Sequence, residues 1–146
     1  MHCLTIRQPW ATLIALGEKK FETRSWNTSY RGELAIHAGK KIDKAICRQE
    51  PFKSVLSKHG YTEDNLPVGV IIAAGLLEEC YEITRSENGE GWVSGKEYDF
   101  GDYTEGRFAW KLEGMTPLNH PIPAKGRLSL WEYPVNEAES KSGLSF

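Results

Sequence analysis

Residues Leu4-Thr5-Ile6 alternate apolar and polar, the period of two expected of a half-buried strand, and the alternation stops at Pro9. Pro9 suits the first turn of a helix, where its missing N–H would have no partner anyway. Trp10, Leu13 and Ile14 recur at helical spacing, and Gly17 supplies the stop. Lys20 to Trp26 reads as a strand, with Phe21, Thr23 and Ser25 on one face and Lys20, Glu22, Arg24 and Trp26 on the other. Asn27-Thr28-Ser29 forms a turn, and Gly32 to His37 returns as a strand with Leu34 and Ile36 inward.

Helical spacing resumes after Lys41 in Ile42, Ala45 and Ile46, is broken at Pro51, and continues in Phe52, Val55, Leu56 and His59. Val68 to Ile83 is strand-like, and its length and Gly75 predict a bulge or a bend. The Gly-rich, acidic stretch 86–106, anchored by Trp92 and Tyr98, reads as a long, partly ordered loop with at most a short strand. Phe108 to Leu118 is a further strand, and Leu128 to Tyr133 closes the domain. The tail, 136–146, is polar and expected to fray. Short strands outnumber helices, so the pattern favours an α+β fold: a small curved sheet or barrel with helices packed at one side.

Composition narrows the class without redirecting it. At 146 residues, 40% hydrophobic and 26% charged, the chain suits one globular domain. The longest apolar run, Val68 to Leu77, is too short to span a bilayer, and the N-terminus has no signal-peptide pattern; no membrane association and a cytoplasmic location are expected. Cys3, Cys47 and Cys80 are widely spaced and read as buried or incidental thiols, with no zinc-type spacing; no metal and no cofactor are expected.

Charge changes the picture more. The net charge is −2, but residues 1–41 hold seven basic residues against three acidic ones, which leaves the remainder at −6. The basic residues of this segment are Arg7, Lys19, Lys20, Arg24, Arg31, Lys40 and Lys41, and tryptophans stand among them. Cations beside flat rings suit a ligand that is both anionic and planar, as a nucleotide is. On the Lys20–Trp26 face, Glu22 can hold Arg24 in place, Arg24 can grip a phosphate or base edge bidentately, and Trp26 can stack on a base. Arg7 stands where a helix N-terminus also favours an anion, and the Gln8 amide can pair with a base. Trp10 begins the apolar stripe of its helix and is expected to pack into the core. His37, Lys40, Lys41 and Lys125 extend the candidate surface. No phosphate-cradling glycine motif, kinase signature or serine elbow occurs.

Leu4-Thr5-Ile6-Arg7-Gln8-Pro9-Trp10-Ala11 and Gly17-Glu18-Lys19-Lys20-Phe21-Glu22-Thr23-Arg24-Ser25-Trp26 resemble the ASCH domain family. The likeness continues through Tyr30 to Ala38, Leu66 to Ile72, the Trp110 strand and Pro121 to Gly126. The resemblance implies a PUA-like fold over residues 1–135, a small β-barrel with flanking helices and a cleft between them, followed by the 136–146 tail. It further implies a nucleic-acid ligand, RNA or a (modified) nucleotide, held by Arg7, Gln8, Lys19, Lys20, Glu22, Arg24, Trp26, Arg31, His37, Lys40, Lys41 and Lys125. Some small relatives are hydrolases, among them enzymes that deacylate a modified cytidine and others described as ribonucleases. In the deacylating group a lysine precedes a threonine nucleophile by three residues. Here Lys19 stands at the lysine position and Glu22 replaces the threonine, so the hydroxyl chemistry is lost. The alternative is a Lys19–Glu22 catalytic pair that activates water. A protein-interaction role through the 86–106 loop is the third reading.

Overall fold

The computed structural model describes residues 1–84 and 93–134. Its elements run β1 (His2–Gln8), α1 (Trp10–Ala15), β2 (Phe21–Arg24), β3 (Gly32–Ile42), α2 (Lys44–Cys47), α3 (Phe52–Lys58), β4 (Val70–Glu82), α4 (Lys96–Phe100), β5 (Phe108–Pro123) and β6 (Leu130–Glu132). The six strands form one sheet in the order β2-β5-β4-β3-β1-β6. β1 and β3 pair in parallel, and every other neighbouring pair is antiparallel.

One face of the sheet is closed by α1. Its buried Ala11, Ile14 and Ala15 pack on Leu4, Ile6, Leu34, Ile36, Ala73, Leu77, Trp110 and Leu112. Alternation along β1 and β3 puts Leu4, Ile6, Leu34 and Ile36 on the face this helix covers, while Cys3 and Ala35 pack with Ile71, Ala74 and Trp131 in a separate cluster. A second cluster gathers Leu13, Cys47, Phe52, Val55, Leu56, Leu66 and Phe100, and so joins α1, α2, α3 and α4. The α4 end is held by this apolar contact.

β4 and β5 pair through three register shifts. One falls between Ala74 and Leu76, where Gly75 lets the strands approach: a Cβ there would lie 2.8 Å from Glu113 O and 2.9 Å from Met115 Cα. The bend expected at Gly75 is therefore an irregularity in the ladder.

Several sequence expectations need correction. β2 ends at Arg24, so Trp26 lies beyond the strand. β3 runs on to Ile42 beside β1, which shortens the helix expected after Lys41 to Lys44–Cys47. β5 extends to Pro123 because β4 supplies a partner as far as Val70. Within 93–106 the structure has the helix α4 in place of a short strand; 86–92, with Trp92, lie outside the described residues, as does the tail. The expected barrel is a sheet whose outer strands, β2 and β6, are not paired with each other. No described helix is long and apolar enough to cross a membrane.

Candidate functional site

A cleft of about 680 Å³ opens between the end of β1 and the strand β2. β6 pairs with β1 only from His2 to Leu4, and Thr5, Ile6 and Arg7 beyond that pairing form one wall. Glu22, Thr23, Arg24, Ser25 and Trp26 form the opposite wall. Asp99 to Asp102 and Arg107 make a third, with Trp10, Ile46 and Phe52 behind.

The β1 wall is set by Gln8. Its Oε1 accepts from the Thr12 N–H at 2.9 Å, and its Nε2 donates to Thr12 Oγ1 at 2.7 Å and to Pro67 O at 2.8 Å. The amide thereby caps the first turn of α1 from outside the helix. Arg7, next to it, is exposed, and its guanidinium lies 5.1 Å from the centre of the Trp10 ring. Trp10 is half-buried: its ring meets Phe52 edge-on at 6.0 Å and also lines the cleft. The core position expected for Trp10 is thus only partly realised, because the strand-to-helix turn leaves ring area facing the cleft.

On the other wall Arg24 does two things. Its Nη1 donates to Glu22 Oε2 at 3.0 Å, and its guanidinium lies 5.9 Å from the Trp26 ring centre. Trp26 is held from behind by an edge contact with Trp110 at 4.7 Å, and the Trp110 indole N–H donates to Trp26 O at 3.3 Å. Glu22 is only 6% exposed, yet it lines the cleft.

The third wall is pinned to β2 by long-range hydrogen bonds. The Glu97 carboxylate accepts from the backbone N–H groups of Lys20 at 2.7 Å and Phe21 at 3.3 Å. Lys19 Nζ donates to Phe100 O at 3.2 Å, and the Asp102 N–H donates to Thr23 Oγ1 at 3.0 Å. Arg107 donates to Thr23 O at 3.3 Å and to Asp102 O at 3.2 Å. The Thr104 hydroxyl, and to a lesser extent Arg107, holds the Asp102 carboxyl below its ordinary value. Burial pushes the Lys19 amine down, opposed by the charges of Glu22 and Glu97.

The candidate residues separate accordingly. Arg7, Glu22, Arg24 and Trp26 come together around the cleft. Lys19 is 1% exposed and lies beneath α4, and Lys20 is exposed with its backbone bound to Glu97. Two of the candidate residues, Gln8 and His37, lie in the interior. Gln8 is fully buried, with its amide bonded to Thr12 and Pro67. His37 is 1% exposed; its Nε2 bonds to Ala124 O at 2.7 Å, which makes Nε2 the donor, and its Nδ1 faces Thr5 Oγ1 at 3.2 Å. Arg31 pairs with Glu79 at 2.8 Å, outside the cleft lining. Lys40, Lys41 and Lys125 are exposed and also outside that lining.

Arg107, Asp99 and Asp102 also line the cleft, and no local pattern marks them for it. They lie in or beside a segment whose acids and glycines read as loop, and only their contact with β2 brings them to the cleft. They also change its electrostatics. Arg7, Arg24 and Arg107 face Glu22, Asp99 and Asp102, so the lining is close to balanced and not uniformly basic. Arg24 and Arg107 are paired with acids, whereas Arg7 makes no ion pair among the described residues. No group of three or more His, Cys, Asp or Glu suited to a metal ion occurs among the described residues.

A family model described as "ASCH domain" matches residues 4–113. Over 133 residues the sequence is 51% identical to human Activating signal cointegrator 1 and 26% identical to the mouse protein of the same name. These alignments take in 89% of this chain but 22% of each relative, so the chain spans a small part of their length. The crystal structure of ASCH from Zymomonas mobilis superposes with a TM-score of 0.55 at 18% identity, covering 96% of this chain and 90% of that one. A mutant of the same bacterial protein gives 0.54 at 17%, covering 96% and 93%. At such identities the likeness concerns the fold alone.

Proposed function

The chain belongs to the ASCH domain family, and from that premise we propose that its cleft binds a nucleotide unit of RNA. The observation that carries this reading is the pair of arginine-on-tryptophan contacts on opposite walls, Arg7 with Trp10 and Arg24 with Trp26, at 5.1 and 5.9 Å. A base can lie against an indole face while a guanidinium meets phosphate, and stacking contributes about 1–3 kcal/mol per base. Glu22, almost buried and fixed by Arg24, supplies an acceptor for a base amino or imino group. The near-balance of charge in the lining favours one phosphate at Arg7 over a polyanion packed into the cleft. In this reading the sheet is a PUA-like barrel left open at the seam between β1 and β2, and the seam is the binding slot.

The test is fluorescence anisotropy with nucleoside monophosphates and short single-stranded RNA. Affinity is expected to fall as salt rises, and Arg24→Ala is expected to weaken binding with the fold intact. Absence of binding at low salt, or binding indifferent to salt, would overturn the reading.

A hydrolytic role is the second reading, favoured by one observation: the nearly buried Glu22 lines the cleft three residues from the fully buried Lys19. Glu22 would act as the base toward water in the cleft, with Lys19 as a positioning residue that does not line it. Turnover of acylated cytidines or RNA that is abolished by Glu22→Gln supports this reading; no turnover at high protein concentration ends it.

A further inference from the structure

We infer that a second, exposed cationic track leads out of the cleft over the loop 124–129, and that it carries the backbone of a single nucleic-acid strand several nucleotides long. The inference rests on the nucleotide reading of the cleft for its starting point, but on different residues. Arg7 is the junction. In the β1–β3 register, Ile6 stands opposite Ala38 and Gln8 opposite Ile42, so Arg7 lies beside the irregular stretch that contains Lys40 and Lys41. Gly69 links this stretch to the loop: its N–H donates to Ala38 O at 2.7 Å, its O accepts from the Ala124 N–H at 3.1 Å, and its Cβ position lies 3.9 Å from Lys40 Cε. Lys125 follows Ala124 directly.

The loop then crosses β1. A Cβ on Gly126 would lie 3.0 Å from Thr5 Oγ1 and from His37 Cε1, so the backbone rests on the strand two residues before Arg7, on the side chain that lines the cleft. Both ends of the loop are fixed: His37 Nε2 donates to Ala124 O at 2.7 Å, and the Trp131 indole N–H donates to Thr5 Oγ1 at 3.0 Å. From this rigid base Lys125, Arg127 and Leu128 are all exposed, Leu128 by 93%.

Arg7, Lys40, Lys41, Lys125 and Arg127 make no ion pair among the described residues, in a chain whose net charge is −2. Asp43, two residues beyond Lys41, is occupied in capping α2 through the Ile46 N–H at 3.0 Å. Arg31 and Arg48, by contrast, are held by Glu79 and Glu63. Unpaired cations in series suit successive phosphates, and each phosphate neutralised releases counterions. Leu128 beside Arg127 gives an unstacked base an apolar surface to cover. Continuity with a cleft lined by indoles favours a nucleic-acid strand over an acidic peptide, which has no base to place there.

The experiment compares nucleoside monophosphates with single-stranded RNA of about eight nucleotides, within the span that single-strand platforms cover. The full chain is used as it stands and as the double variant Lys125→Glu/Arg127→Glu. The octamer is expected to bind at least about tenfold more tightly than any monophosphate and with a steeper salt dependence. The double variant is expected to lose that advantage while keeping its monophosphate affinity. An octamer that binds no better than a monophosphate, or a double variant that binds it like wild type, overturns the track. So does displacement of the octamer by polyglutamate at equal charge concentration, which would assign the surface to an acidic protein. If monophosphates fail to bind but the octamer binds and the double variant abolishes it, the cleft reading falls and the track stands.

Discussion

Arg24 Nη1 and Glu22 Oε2 form a 3.0 Å ion pair in which the Glu22 side chain is 7% exposed and the Arg24 side chain 25%. The acid therefore depends on the base more than the reverse. Arg24→Ala strands a nearly buried carboxylate and is expected to cost about 1–3 kcal/mol in urea unfolding. Adding Glu22→Gln to it should restore part of the loss, because a neutral amide tolerates burial better. Equal stability of Arg24→Ala and wild type would show that water, and not Arg24, satisfies Glu22.

Lys19 makes a prediction about pH. Burial lowers its amine from the ordinary 10.5, so the unfolded chain binds its proton more readily than the folded one. Stability linked to this group is therefore present above about 10.5 and is lost as pH falls through the lower folded value. Lys19→Met is expected to stay within about 1 kcal/mol of wild type at pH 7, since an apolar isostere avoids the desolvation cost. Wild type should gain on the variant as pH rises toward 10.5. A stability difference that does not change with pH would mean that the amine is not the titrating group.

Tyr103 is buried, and its hydroxyl has no hydrogen-bond partner among the described residues. Burial first, then the charges of Glu97 and Glu22, raises its pKa above the ordinary 10.0. Tyr103→Phe removes an unsatisfied polar atom and keeps the ring, which stacks near Tyr98 at 5.8 Å. The variant is expected to be neutral or up to about 1–2 kcal/mol more stable in thermal or urea unfolding. A loss of more than about 1 kcal/mol would reveal a hydrogen bond to that oxygen.

Gly75→Ala tests the β4–β5 irregularity. The new methyl would meet backbone, Glu113 O at 2.8 Å and Met115 Cα at 2.9 Å, which cannot rotate away. A loss of about 2–4 kcal/mol is expected. Little change would mean that the ladder shifts register there at small cost.

Much of the fold was legible from short-range pattern. Leu4 to Ile6, the Trp10 stripe with Gly17, and Leu34 with Ile36 are each read correctly, because period and turn chemistry act over a few residues. The meeting of Arg7 with Trp10 and of Glu22 with Arg24 is also local, within three residues in each case. α4 was not legible: five residues in an acidic stretch become a helix whose Glu97 binds the backbone where β2 begins, 77 and 76 residues away at Lys20 and Phe21. Nor could pattern tell that Gln8 and His37 are interior, since their amide and imidazole are satisfied by Pro67 and Ala124.

The sequence alone determined which residue types the chain offers a planar anion, and the segments that present them. Tertiary structure decided which of those residues share one cleft, that Asp99, Asp102 and Arg107 balance its charge, and which cations outside it find no acid among the described residues. The division follows from range: strand and helix periods are set by neighbours in the chain, whereas burial of a polar group and pairing of a charge are settled by partners brought from far along it.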